Sequence, residues 1–325
     1  MKSYRRFLSL TLISLLLLNL PTFAWDGVGH MAVAYVAYQS LTPTSKAKVK
    51  KLLKLNPYYK NKKWAALIPA GTSSKDRDML IFMLAATWPD EIKSDKTYTE
   101  DGAAGSNGDR PDGPDSSRNI GYSDLFMHKY WHFIDTPFSV DAGATLPAIP
   151  TPDAEDRIDA FRAVLSSSTA TSSLKSYDLV WLMHLVGDVH QPLHCSTRVI
   201  SGATEGDNGG NSVTISCPSG CNSASELHAL WDNVLGAGSS AAKALTAVKT
   251  LPPPDPTASS DVTTHDWVTE SFNDAKTKVY VDPIGPGDGK FTITQQYEDD
   301  AVALGSQRIA LAGVRLAKVI NDELK

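Results

Sequence analysis

Cysteine, histidine and long apolar runs are all scarce in this chain of 325 residues. The three cysteines, Cys195, Cys217 and Cys221, do not make a thiolate metal site. In an oxidising compartment Cys217 and Cys221 can close a small loop, which leaves Cys195 as an odd, buried thiol. One apolar run stands out, Phe7 to Leu20, preceded by Lys2, Arg5 and Arg6 and broken by Pro21. It is too short and wrongly flanked for a membrane span. Thr22 and Ala24 are small residues where a signal peptidase reads, so residues 1–24 read as a signal peptide and the mature chain starts at Trp25. No second long apolar segment and no internal repeat follow, so residues 25–325 read as one compact domain. The chain has no Asn-x-Ser/Thr site, so its surface needs no N-linked sugar.

Positive charge is also in short supply. The net charge is −5, and it falls to about −8 once the three basic residues of the signal are removed. Such a protein does not grip polyanions through a generally basic surface. If it handles phosphate esters, bound cations must supply the positive charge.

The patterning of what remains is mainly helical. Apolar residues at helical spacing predict helices over 29–41, 45–55, 76–87, 154–166, 174–190, 224–235, 240–251, 264–279 and 294–324. The lysines of 45–55 read as a solvated outer face. Residues 94–120, rich in Gly, Asp, Ser and Asn, read as a long surface loop. The clearest strand signal is Ser212 to Ser216, expected in a small β-hairpin within 206–217. The expected fold is an all-α domain with this one β excursion.

Five of the eight histidines sit in short contexts that include carboxylates. His184 and Asp188 are four apart on the central helix and share one face of it. His228 and Asp232 repeat the spacing on a later helix. His194 follows Pro192 at a turn, His132 and Asp135 flank an apolar pair, and His30 opens the first helix. A single His-x-x-x-Asp pair carries little information. Here the pair lies inside a nearly unbroken apolar helix, where an uncompensated carboxylate costs several kcal/mol. Divalent cations supply that compensation, and imidazole with carboxylate suits zinc.

Six motifs then occur in one order. Trp25-Asp26-Gly27-Val28-Gly29-His30 resembles the Trp-x-x-x-Gly-His start of mature S1/P1 nucleases. Trp88-Pro89-Asp90-Glu91-Ile92-Lys93 resembles their Trp-x-Asp-x-x-Arg element, with Lys for Arg. His132-Phe133-Ile134-Asp135 matches theirs, as does His184-Leu185-Val186-Gly187-Asp188 followed by Gln191-Pro192-Leu193-His194. Gly206 to Asn211 resembles Gly-Asp-x-Gly-Gly-Asn, and Leu227-His228 with Trp231-Asp232 closes the series.

The resemblance implies a phospholipase C/P1 nuclease-like helical fold and a trinuclear zinc site. One zinc would take Asp90, His132, His184 and Asp188. A second would take the freed amine and carbonyl of Trp25, with His30 and a bridging Asp188. The third would take His194, His228 and Asp232. Asp135 is expected to act as general base toward a zinc-activated water. Asn211 and Asn233 are candidate substrate contacts, with turn stabilisation as an equal alternative. The implied activity is hydrolysis of 3′-O–P bonds of single-stranded RNA and DNA to 5′-nucleotides, together with 3′-nucleotidase activity. The expected protein is secreted and monomeric. Two alternatives stand beside this reading: a zinc phospholipase C acting on phospholipid, and a non-catalytic zinc-binding secreted protein.

Overall fold

The computed structural model describes residues 25–102, 110–111, 116–202, 206–287 and 289–324. The predicted signal peptide therefore lies outside the described residues, as does part of the loop 94–120. Helices run in chain order as α1 (Gly27–Ser40), α2 (Pro43–Leu53), α3 (Pro57–Lys60), α4 (Lys63–Ala66), α5 (Ser74–Ala85) and α6 (Trp88–Glu91). They continue as α7 (Ala154–Ser166), α8 (Ser172–Asp188), α9 (Leu227–Asp232), α10 (Ala241–Ala247), α11 (Thr264–Asp274) and α12 (Gln295–Glu323). Among the described residues no helix is long and apolar enough to cross a membrane.

Local chemistry sets the helix ends. Asp26, Thr42, Ser73 and Thr171 each accept a backbone N–H of the first turn of α1, α2, α5 and α8. Asp153 and Asp156 form a reciprocal capping box on α7. Pro192 opens the short 3₁₀ turn Pro192–Cys195 just beyond α8. From Ser176 to Asp188 every residue of α8 is buried, as its apolar sequence requires. This helix is the core of the domain, in contact with α1, α2, α6, α7 and α12.

Two differences from expectation have a physical cause. The predicted hairpin is absent. Ile215–Ser216 pairs in parallel with Phe291–Thr292, far along the chain, and Thr214 makes only an isolated antiparallel bridge to Glu226. Short strands of this kind take whichever edge the tertiary fold brings to them. The helix expected over 224–235 also shrinks to Leu227–Asp232. Ala224 and Glu226 are extended instead, with Ser225 O accepting Ile215 N–H and Glu226 bridged to Thr214, and Asn233 ends the helix. A second parallel pair joins Pro137–Phe138 to Thr197–Arg198 and ties the His132 segment to the His194 segment.

Behind α8 lies an aromatic wall. Trp181 packs edge-on against Trp88 and Trp131, at 6.2 and 5.0 Å between ring centroids. Trp64, Tyr122 and Phe138 take part in packing. Trp64 and Phe138 are buried, and Tyr122 meets Trp88 and Tyr177 edge-on.

Candidate metal centre

His30, Asp90, His132, His184 and Asp188 converge from four separate elements, α1, α6, α8 and the 3₁₀ turn Lys129–His132. All five are buried. His30 Nε2 lies 3.2 Å from Asp188 Oδ1 and 4.0 Å from Asp90 Oδ2. His132 Nδ1 lies 3.1 Å from Asp188 Oδ2 and 2.9 Å from His184 Nε2. The His30 and His184 rings stack at 3.8 Å. Trp25 is fully buried alongside and donates its indole N–H to Gly187 O at 2.8 Å. Gly187 is glycine for a steric reason: a Cβ there would stand 2.9 Å from His30 Nδ1.

The second group, His194, His228 and Asp232, closes the other side. His194 Nδ1 donates to His132 O at 2.7 Å, and His228 Nδ1 donates to Gly209 O at 2.7 Å. Carbonyls only accept, so both rings carry their proton on Nδ1 and both Nε2 atoms are bare. Those two bare nitrogens face each other at 3.1 Å, and His228 Nε2 is 3.4 Å from Asp232 Oδ2. His184 repeats the logic, with Nδ1 on Ala86 O at 2.7 Å and Nε2 turned toward His132 and Asp188.

Electrostatics sharpens the test of fit. Burial drives the protonated forms of His132, His184 and His194 well below the ordinary histidine range, with Lys93 or the neighbouring histidines adding to it. His30 follows for the same reasons, burial and then His184, and His228 falls to about 4, chiefly through burial. Neutral imidazoles are what a metal requires. Burial also pushes Asp188 and Asp232 well above the usual carboxylate range. Asp90 pairs with a protein cation, the Lys93 ammonium at 2.8 Å from Oδ1. Bare imidazole nitrogens and buried carboxylates converging at hydrogen-bonding distance are a ligand set suited to divalent cations, and the residues fit zinc.

Gln191 and Gly209 have roles that the spacing of histidines and aspartates did not reveal. Gln191 Nε2 donates to Asp232 Oδ1 at 2.7 Å, while Gln191 Oε1 accepts Leu193 N–H at 2.6 Å. Gly209 has φ +59, and a Cβ there would lie 2.4 Å from Leu193 O. The Gly-rich turn thus serves to hand its carbonyl to His228. Asp207 shapes that turn by accepting Gly210 N–H at 3.1 Å. The only signal in the sequence was that Gln191, Asp207 and Gly209 belong to matched motifs.

The remaining candidates are Asp135, Asn211 and Asn233. Asp135 is half-buried on the segment whose Ile134 N–H bonds His194 O at 2.7 Å. Asn211 donates to Asn208 O at 2.7 Å, a turn-stabilising bond, and its Oδ1 is buried without a partner. Asn233 caps α9 immediately after Asp232, and its carbonyl accepts from Asn222. The other histidines lie outside the cluster. His128 sits between Asp101 and Asp124, His190 donates to Val186 O and accepts from Arg315, and His265 pairs with Glu155. Cys217 and Cys221 are joined by a disulfide, and Cys195 is a buried free thiol.

The described residues thus form a mainly helical domain enclosing two adjoining buried His/Asp groups that could hold metal ions. The chain belongs to the S1/P1 nuclease family, whose pattern matches residues 25–325. It is also similar to Endonuclease 4 of Arabidopsis thaliana, at 23% identity over 250 residues. That match covers 72% of this chain and 62% of the relative, so the chain spans less than two thirds of that protein's length.

Proposed function

We propose that the protein is a secreted, zinc-dependent nuclease that hydrolyses the 3′-O–P bonds of single-stranded RNA and DNA to 5′-nucleotides, and that also removes the phosphate of 3′-nucleotides. The observation that carries this reading is the facing pair of bare nitrogens, His194 Nε2 and His228 Nε2, beside the buried Asp232 and Asp188.

Three zinc ions would be held by Asp90, His132, His184 and Asp188; by Trp25, His30 and Asp188; and by His194, His228 and Asp232. When bound, zinc supplies the positive charge that polarises a phosphate ester and brings the pKa of water toward neutrality. The chain's own groups do the rest. Ala86 O, His132 O and Gly209 O fix the tautomers of His184, His194 and His228, so each ring presents a lone pair inward. Gln191 fixes the Asp232 carboxylate. Asp135 takes the proton of the attacking water. Asn233, next to Asp232, and Asn211, at the Gly-rich turn, contact substrate. Cleavage after Ala24 frees the Trp25 amine, which couples export to assembly of the centre.

The test is metal content and single-strand hydrolysis on protein purified after export. About three zinc per chain, with activity lost to a chelator and restored by zinc, is the expected result. Three zinc without nucleolysis moves the assignment to phospholipid substrates. Zinc without any hydrolysis moves it to a binding protein.

A further inference from the structure

The molecule's charge is inverted over one stretch. From residue 27 to residue 75 there is no aspartate or glutamate, yet eight lysines fall between residues 46 and 63. The whole chain carries −5, so everything outside those lysines stands at −13. The lysines belong to α2, α3, α4 and the turns between them, whose buried positions are Ser45, Val49, Leu52, Leu53, Tyr58 and Trp64. Two are neutralised, Lys50 by Asp78 at 2.6 Å and Lys63 by Asp95 at 2.8 Å. Lys51, Lys54, Lys60 and Lys62 are exposed and make no ion pair with the described residues. One lysine-rich helix face is ordinarily just solvated. Here three consecutive helices contribute with no carboxylate between them, which is the footprint of a polyanion site.

Two further observations bear on the kind of polyanion. Tyr38 and Tyr59 are half-buried and line a shallow cleft with Lys46, Lys50 and the Asp78 that pairs Lys50, so aromatic rings accompany the ammonium groups, Lys46 lying over the Tyr38 ring. That pairing suits a strand with unstacked bases. The face is also tied to the segment that carries Asp90. Lys63 Nζ and Tyr58 Oη both hold Asp95 Oδ2 at 2.8 Å. Asp95 caps the turn Ile92–Ser94, which follows the end of α6 at Glu91, one residue beyond Asp90. Five residues of helical rise put this junction about 10 Å from Asp90.

We propose that the lysine face of α2–α4 holds phosphates of single-stranded nucleic acid flanking the one at the metal centre. The proposal rests on the nuclease reading. A cation centre neutralises one phosphate, whereas a strand brings a charge with every nucleotide to a protein that elsewhere repels it. Lysines outside the His/Asp cluster touch only the flanking strand, so they bind ground state and transition state alike. They act on KM and leave kcat unchanged.

The experiment compares wild type with the fourfold variant Lys51→Gln, Lys54→Gln, Lys60→Gln, Lys62→Gln, both zinc-loaded, with circular dichroism to confirm the fold. Kinetics are measured on a single-stranded 20-mer and on a 3′-mononucleotide, and a labelled phosphorothioate 20-mer reports binding by anisotropy. Tenfold or greater rise in KM for the 20-mer, with mononucleotide kinetics unchanged, is expected. The slope of log affinity against log salt should become shallower by about 1 to 3, at about 0.7 per phosphate contact. Unchanged 20-mer affinity and salt slope overturn the proposal. So does binding of wild type, but not the variant, to phosphatidylglycerol vesicles with oligonucleotide affinity intact, which would make this a membrane-facing surface. If wild type hydrolyses nothing, the nuclease reading fails, while the anisotropy arm still decides whether the face binds nucleic acid.

Discussion

Gly187 passes so close to His30 that a methyl group on it would stand 2.9 Å from Nδ1 and 3.1 Å from Cε1 of the imidazole. The ring has nowhere to retreat, because its other face stacks on His184 at 3.8 Å. Gly187→Ala should therefore push His30 out of the centre. About one zinc equivalent per chain should be lost, with destabilisation of about 1 to 3 kcal/mol from overpacking. Metal analysis and thermal melts check this. A variant with full zinc and an unchanged melting point would show that the contact is not limiting.

Gln191 touches no inward-facing nitrogen, yet it is the amide that orients Asp232. Gln191→Ala should weaken zinc at the His194, His228 and Asp232 group by roughly 10- to 100-fold, as losses of such orienting partners do. Titration with a competing chelator resolves this weaker class from the others. Equal affinity at all sites would assign Gln191 to shaping the turn through Leu193 alone.

Asp135→Asn separates catalysis from metal binding. The substitution preserves shape and removes the base, so zinc content should be retained while kcat falls by roughly two orders of magnitude or more. Single-turnover rates with metal analysis on the same sample provide the check. Loss of zinc would make Asp135 a ligand, and unaltered kcat would remove it from the chemistry.

Asp178 offers a pH effect away from the centre. Its Oδ2 accepts one bond from Asn119 at 3.0 Å, its Oδ1 is buried without a partner, and burial raises its pKa to about 7. Between pH 4 and 7 the unfolded chain has lost this proton while the folded chain keeps it. The folded state thus binds more protons, and stability falls as pH rises through that window, then levels off. Asp178→Asn should remove a decline on the order of a few kcal/mol. Denaturant melts at pH 5 and pH 8 should show a smaller loss for the variant than for wild type. Equal losses would mean that Asp178 ionises normally.

Much of the fold was legible because helices announce themselves locally. The apolar run of α8, the cap at Asp153 and the break at Pro192 are short-range features, and the structure places helix and turn accordingly. The strand within 212–216 was legible but its pairing was not, since Ile215 finds its partner at Phe291, and no local pattern encodes a pairing of that separation. The shortened α9 has a similar cause: Ser225 and Glu226 are drawn into extended pairing with Ile215 and Thr214.

For the centre, the sequence by itself determined which residue types are available and which share a face. His184 and Asp188, and His228 and Asp232, are paired by helical spacing alone. It also determined the charge inversion between residues 27 and 75. Only the tertiary structure decided that His30 stacks on His184, that His194 faces His228, and which carbonyl holds each proton. The tautomer of an imidazole depends on the acceptor opposite its other nitrogen, and those acceptors, Ala86 O, His132 O and Gly209 O, lie 98, 62 and 19 residues away. Periodicity reports one element's faces; where two faces meet is set by packing across the whole chain.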